Sequence, residues 1–577
     1  MSATSLERSD LAAADPRLRA VVVIPARDEE RRIAACLRAL ADQEGVAKAE
    51  YEVILVLDGC RDATAEVIAG FAAGEPSLAL HTVELTAAQG VGRARRRGMD
   101  IACERLLGLG RGEGLVLSTD ADSVVAADWL AAQLALAAQG ARAIGGHIEL
   151  DPTEALELSP EAVNERELRS TERLASVLDQ VDAHNDGDAT EHQARTEHHQ
   201  FSGASLALTA DAYRECGGLP VRAALEDEAL ELELRSLGIP IHRSRNVRVL
   251  TSARREGRAP RGLARDLARS DWRARRSYSS AQFPLERLLE AKQETIALVL
   301  PAREVATTLG PIAETVAALA EVGLLDEVLV VDAGSRDGSA RVAAEAGLRV
   351  LQEDEIAAEL GPAQGKGDAM WRALSMVESE IVAYVDADTE RFGEHFVTGL
   401  LGPLLLEPEV QLVKGFFRRP FRTAEGLAPD GGGRVTELLA RPLLNLHAPD
   451  LAVFDQPLAG ELAGRRELLE RIPFSTGYGV EIAMLIDAWR ITGLDGMAQV
   501  DMGVRQNRHQ PLRELSAMAY AVLVAASTRL LGEEFADANA CGSLLLPPLE
   551  GQTQMESRRV PIEERPPLAQ YRSRTAC

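Results

Sequence analysis

An apolar run that ends in two carboxylates one residue apart occurs twice in this chain, and that repetition is its strongest constraint. The two stretches are Ile381-Val-Ala-Tyr-Val-Asp-Ala-Asp388 and Leu115-Val-Leu-Ser-Thr-Asp-Ala-Asp122. Each reads as a buried strand of a parallel sheet. The tip of such a strand is where an open α/β sheet binds its ligand. Paired carboxylates there suit a hard divalent cation that also holds a substrate's phosphates. The plainer reading of either stretch alone is an acidic turn, because Asp is common in turns.

The repetition extends beyond these runs. Ile296-Ala-Leu-Val-Leu-Pro-Ala-Arg303 answers Val21–Arg27, Glu327–Asp337 answers Val53–Asp62, and Gly365-Lys-Gly-Asp-Ala-Met-Trp371 answers the Gly90 segment. The offsets from Pro25 to Pro301, Asp58 to Asp332 and Asp120 to Asp386 are 276, 274 and 266 residues. Four features in one order predict two tandem copies of one fold rather than a short-period solenoid. Strands such as Tyr51–Asp58 alternate with helical periodicity such as residues 31–41, so the fold class is α/β with a mostly parallel sheet. The expected boundaries are a loose leader over residues 1–19, a first domain over 20–285, a second over 290–545, and a mobile tail over 546–577.

At 577 residues the chain is too long for one core. Its net charge of −26 argues against a nucleic-acid partner and makes any anionic substrate depend on a local basic pocket. Two of only four lysines, Lys366 and Lys414, stand in Gly-Lys-Gly and Val-Lys-Gly. Lys414 has a competing reading as a solvated strand end. The six cysteines are scattered, which indicates neither a zinc site nor a disulfide framework. His184, His192, His198 and His199 are irregularly spaced in a polar stretch and read as solvated surface rather than a metal cluster. There is no signal-peptide pattern and no uninterrupted apolar run of about 18 residues. The expectation is therefore a cytoplasmic protein without a membrane span.

Gly361-Pro-Ala-Gln-Gly-Lys-Gly367 fails as a phosphate loop: its glycine spacing is short and Gly367 stands where Ser or Thr would meet magnesium. Pro-Ala-Arg after the first strand excludes the dinucleotide fingerprint and disfavours a sugar nucleotidyltransferase. The remaining pattern is strand-Pro-Ala, strand-Asp with Gly-Ser-x-Asp, Gly-Lys-Gly and Asp-x-Asp. It resembles the GT-A glycosyltransferases, in which the metal at Asp-x-Asp holds a nucleotide sugar's diphosphate.

The second copy, about residues 295–530, resembles the glucosyl-3-phosphoglycerate synthases. The resemblance is carried by Gln411–Pro420, Gly431–Pro442, Gln456-Pro-Leu-Ala-Gly-Glu461, Pro473–Ile482 and Ala498–Arg505. It implies retaining transfer of glucose from UDP-glucose to the 2-hydroxyl of 3-phosphoglycerate, with Mg2+ or Mn2+. By position, Pro301, Ala302, Asp332 and Ser335 would line the uridine site, and Lys366 would face the diphosphate. Asp386 and Asp388 would hold the metal, and Glu461 would contact the donor glucose. Arg434 and Thr436 would hold the acceptor's phosphate and carboxylate. Val305 departs from the family's acidic residue. Val504-Arg-Gln-Asn-Arg-His509 places Asn507 where the family has a metal-binding His and His509 where it has an acceptor-binding Asn. GDP-mannose is the alternative donor.

The first copy resembles the broad family-2 glycosyltransferases through Asp58, Asp120 and the metal candidate Asp122. On the acceptor side it matches through Phe201–Ser205 and Leu225-Glu-Asp-Glu228. Asp227 is the candidate base of an inverting transfer, with a helix-capping acid as the alternative. Arg93 is a substitute for the missing Lys of the Gly90 loop. This copy is expected to be a second glycosyltransferase of unknown acceptor or a non-catalytic binding module. The expected partners are the nucleotide-sugar donor and 3-phosphoglycerate, with a homodimer admitted.

Overall fold

A computed structural model describes residues 11–184, 196–222, 225–257, 262–419, 421–423, 426–428, 433–505, 511–532, 542–548 and 553–575. The chain forms two compact units, Met1–Asp271 and Trp272–Cys577. Among the described residues each contains an eight-stranded sheet with helices on its faces. Asn507 and His509 lie outside the described residues.

In the first unit the strands are β1 (Ala20–Ala26), β2 (Tyr51–Leu57), β3 (Leu80–Glu84), β4 (Leu115–Ser118), β5 (Ser123–Val125), β6 (Ala143–Leu150), β7 (Leu206–Thr209) and β8 (Ile241–Thr251). Their order is β3-β2-β1-β4-β7-β6-β8-β5. β1 pairs in parallel with β2 and β4, and β4 pairs antiparallel with β7. β1 is apolar throughout because both of its faces are covered. Ala20, Val22 and Ile24 pack with Leu37 and Leu55, while Val21 and Val23 pack with Ile54, Val56 and Met99. Burying each such side chain contributes about 1.5–3 kcal/mol.

The second unit has β9 (Ser277–Ser279), β10 (Ile296–Ala302), β11 (Glu327–Asp332), β12 (Arg349–Gln352), β13 (Ile381–Tyr384), β14 (Leu412–Arg418), β15 (Phe421–Thr423), β16 (Gly426–Ala428), β17 (Leu462–Arg465), β18 (Phe474–Ser475) and β19 (Met497–Val504). Its large sheet runs β12-β11-β10-β13-β17-β14-β19-β9. The first seven places correspond to those of the first unit. The eighth differs: β5 pairs antiparallel with β8, whereas β9 pairs in parallel with β19.

Both Asp-Ala-Asp runs lie just beyond the C-terminal end of a central strand, β4 or β13, as the sequence pattern predicts. The strands stop earlier than the apolar runs, at Ser118 and Tyr384, which frees the following carboxylates from the ladder.

Two expectations at the ends of the chain are corrected. The last leader residues are anchored: Leu18 is buried, and Arg105 donates to the Ala12 carbonyl at 2.9 Å. Described residues 553–575, expected as part of a mobile tail, pack on the second unit through a strand at Glu564–Arg565, a fully buried Leu568 and a helix at Leu568–Thr575. Composition pointed to mobility because the segment is polar. Its arginines have specific carboxylate partners that composition does not show.

Among the described residues one helix, Leu512–Leu531, is long and apolar enough to cross a membrane by length and composition. It packs against the helix Val480–Thr492, burying Ala521, Val522, Ala525 and Ala526, and its Arg529 pairs with Asp487 and Glu564.

Candidate active site

The second unit gathers its charged residues at the ends of β13, β17 and β19. Lys366 is the first residue of the helix Lys366–Met376, after Gly365. Its Nζ lies 2.5 Å from Asp386 Oδ1 and 3.0 Å from Glu481 Oε1. Arg505 follows β19 and turns its guanidinium inward. Its Nη2 is 2.7 Å from Asp388 Oδ1 and 3.3 Å from Asp386 Oδ2, while Nη1 bonds Glu461 Oε1. Glu461 immediately precedes β17 and is fully buried, and its Oε2 has no hydrogen-bond partner among the described residues. Asp388 is the open side of the cluster, with a side chain 56% exposed.

The electrostatics follow from this packing. Burial would raise the Asp386 carboxyl, but Lys366 and Arg505 outweigh it and hold the group well below the usual carboxylate range. Burial would lower the Lys366 ammonium, but Asp386 and Glu481 hold it above its ordinary value. Burial pushes Glu461 up, against the pull of Arg505. Lys414 is buried, not a solvated strand end. Its Nζ donates to the Ala459 carbonyl at 2.9 Å, and burial pushes its ammonium down to about 8. Gly460 has no room for a Cβ, which would overlap Lys366 Nζ and the Asp386 carboxylate.

Asp386 and Asp388 fit a hard divalent cation. Two carboxylate oxygens converge on one positively charged nitrogen, Arg505 Nη2, and one of the two side chains is open to solvent. A cation of the magnesium class is commonly held by one or two carboxylates together with substrate phosphates. Among the described residues no group of three or more His, Cys, Asp or Glu is arranged to hold a metal.

Asp332 ends β11 and is buried. Its Oδ2 accepts from the Ser335 amide at 3.1 Å, and its Oδ1 has no partner among the described residues. Ser335 Oγ accepts from the Glu304 amide at 2.9 Å, just after Pro301 and Ala302 close β10. Val305, at the departure from the family pattern, is buried, and its amide donates to Ser339 Oγ at 2.9 Å. Arg434 and Thr436 stand at the start of a helical segment, Arg434 partly exposed and Thr436 buried. Arg419, at the end of β14, stacks on Phe417 with its guanidinium carbon 4.8 Å from the ring centre, and Arg505 stacks on the same ring at 5.0 Å.

The first unit arranges its acids differently. Asp58 accepts from the Gln89 and Gly90 amides at 2.6 and 2.9 Å, so both of its oxygens already hold the Gly90 loop. Asp120 pairs with Arg95 at 2.9 Å, and Arg95 also reaches Glu226, Ser118 Oγ and the Gly203 carbonyl. Arg95 is the buried cation here, and Arg93 is exposed. Where a metal was expected at Asp122, Arg254 lies 2.8 Å away and also grips Glu29. Asp120 and Asp122 therefore share no common cation among the described residues. Burial, with Asp120 adding to it, pushes Asp122 up to about 6. Asp227 lies in the first turn of the helix Glu226–Ser236, where Leu225 is the N-cap. It accepts from the Gly203 amide at 3.2 Å, and burial raises its carboxyl.

His198 is buried rather than solvated. Its ring lies 5.3 Å from that of His147, and its Nε2 has no partner among the described residues. His199 is half-buried with Nδ1 3.2 Å from Ser170 Oγ, His184 ends the helix Pro160–His184, and His192 lies outside the described residues.

Sequence alone assigns no role to Arg505, Glu481, Arg95 or Arg254. Arg505 and Glu481 stand inside the family-like stretches, which was the available signal. A single arginine after a strand has no spacing that marks it.

The family model for glycosyl transferase family 2 matches residues 21–199 and 299–421. The chain is a family-2 glycosyltransferase. As such it is an enzyme that uses a nucleotide-sugar donor. Glucosyl-3-phosphoglycerate synthase of Mycolicibacterium smegmatis is 43% identical over 259 residues, covering 45% of this chain and 85% of that protein. The solved structure of mannosyl-3-phosphoglycerate synthase from Rubrobacter xylanophilus is 45% identical, covers 52% of this chain and 99% of that one, and has a TM-score of 0.47. That of glucosyl-3-phosphoglycerate synthase from Mycobacterium tuberculosis, in complex with Mn2+, UDP-glucose and phosphoglyceric acid, is 38% identical. It covers 50% of this chain and 95% of that one, with a TM-score of 0.44. About half of this glycosyltransferase thus belongs with the glucosyl-3-phosphoglycerate synthases.

Proposed function

We propose that the chain is a fusion of two GT-A modules. The second transfers glucose from UDP-glucose to the 2-hydroxyl of 3-phosphoglycerate with retention. The observation that carries this reading is the convergence of Asp386, Asp388 and Glu461 on Arg505, with Lys366 on the opposite side of Asp386. Mg2+ or Mn2+ at Asp386 and Asp388 would offset the charge that develops on the leaving diphosphate. Lys366 supplies positive charge on the other oxygen of Asp386. Asp332, with one buried oxygen unpartnered among the described residues, accepts a hydrogen bond from the nucleoside beside Pro301, Ala302 and Ser335. Glu461, whose Oε2 has no partner among the described residues, faces the donor glucose. Arg434 and Thr436 take the anionic groups of the acceptor, and a guanidinium can fork onto two oxygens there.

The first unit is a second glycosyltransferase with Asp227 as its base. This rests on the cluster of Asp120, Glu226 and Asp227 around Arg95.

An assay of the full chain with 3-phosphoglycerate against a panel of nucleotide sugars, GDP-mannose included, tests the main reading. Glucosylglycerate phosphate formed from UDP-glucose supports it. Turnover with GDP-mannose alone replaces glucose by mannose. UDP release by an Asp388→Asn enzyme, lost on Asp227→Asn, supports the first unit as an enzyme, and its absence makes that unit a binding module.

A further inference from the structure

The turn that presents Lys366 is held from behind by the far C-terminal end of the chain. Asp368, two residues beyond Lys366 in the same helix, has a fully buried carboxylate. Arg565 grips both of its oxygens, at 2.7 and 2.6 Å. Around that fork the C-terminal segment is stitched down. Phe474 and Ser475 pair antiparallel with Arg565 and Glu564. The Thr476 amide donates to the Glu563 carbonyl at 2.9 Å, and the Thr476 carbonyl in turn accepts from the Asp368 amide at 3.0 Å. Trp371 Nε1 donates to the Pro566 carbonyl at 2.8 Å. Gly367 leaves no room for a Cβ against the Ser475 carbonyl, so the Gly-Lys-Gly turn lies flush on the strand that the C-terminal segment pairs with.

We propose that residues 563–568 form a strap that fixes the position of Lys366, with Arg565 as its positioning residue. The proposal rests on the reading of Lys366 as the cation facing the donor diphosphate. Arg565 touches no reacting atom. It neutralises Asp368, and Asp368 sets the first turn of the helix from which Lys366 reaches Asp386. Arg372 also contacts Asp368, at 3.2 Å, but its other nitrogens bond the Glu353, Ile356 and Gly361 carbonyls, which leaves the forked contact to Arg565 alone. A forked guanidinium–carboxylate contact fixes direction as well as distance.

The test is steady-state kinetics of the full chain carrying Arg565→Ala, with and without millimolar guanidinium ion, beside Arg565→Lys. Wild-type turnover is the control for the reaction itself, so a wrong donor or acceptor shows there and not in the variant ratios. The expected result is a fall of about 10- to 100-fold in kcat/KM for the nucleotide sugar. Guanidinium should recover part of it, Arg565→Lys should be intermediate, and the acceptor KM should change little. Should Arg565→Ala fail to fold, Arg565→Gln leaves Asp368 paired with Arg372, puts an amide donor in place of the fork and keeps the test: it should fold and remain slow. Wild-type kcat/KM in either folded variant, or a loss in Arg565→Ala that guanidinium leaves untouched, overturns the strap.

Discussion

Replacing Arg505 by Met should unbalance a buried ion pair at the heart of the second unit's candidate site. The Arg505 side chain is 1% exposed and that of Glu461 is 0% exposed. Removing one partner of such a pair leaves an uncompensated buried charge, which costs about 3–5 kcal/mol. That is a fall in unfolding midpoint of roughly 10 °C for a unit of this size. The pH dependence has a defined sign. Burial already raises Glu461, and without Arg505 its Oε1 loses the guanidinium that most opposes that rise. Its folded pKa then lies above its unfolded value, so the variant's deficit is full above the folded pKa. The deficit shrinks as pH falls toward the unfolded value of about 4.3. Urea unfolding at pH 7.5 and 5.5 measures this, with Glu461→Gln and the double variant completing the cycle. Arg505→Met with Glu461→Gln should recover at least about 2 kcal/mol of the loss. A single-variant deficit under about 1 kcal/mol, or a double variant no more stable than the single, refutes the reasoning.

Other consequences are separable. Asp388→Asn should cut 3-phosphoglycerate glucosylation by roughly a hundredfold or more with circular dichroism unchanged. Asp120→Asn with Asp122→Asn should leave that activity intact, and its loss would assign the reaction to the first unit. Arg434→Ala should raise the acceptor KM by roughly tenfold with UDP-glucose binding unchanged; the reverse pattern in kinetics varying each substrate would sink the assignment. In the first unit, burial holds His198 and His199 at about 4, below their unfolded 6.5. The unfolded state therefore binds more protons between those values. That unit should lose stability as pH falls from 6.5 to 4, by up to about 3 kcal/mol for buried His198 and by less for His199, whose charge solvent screens. His198→Asn should flatten the slope, and an unchanged slope in urea unfolding would count against His198 as its source.

The sequence alone determined the fold class, the repeat and the two carboxylate-tipped strands. Those features are local: an apolar run covered on both faces is legible residue by residue, and its period and its end are written in order. The candidate donor side was legible for the same reason, because Pro301, Asp332, Lys366 and Asp386 each sit at a strand end or a glycine turn. Only tertiary structure decided which charges meet. Arg505 reaches Asp386 and Asp388 across 117 or more residues, and Arg565 reaches Asp368 across 197. It also decided that Lys414 and His198 are buried and that the first unit's carboxylates are divided between Arg95 and Arg254. A charged side chain carries no periodic signal of its partner. Whether it is solvated or paired depends on which distant strand end the fold brings alongside it, and that is a property of the sheet order rather than of neighbouring residues.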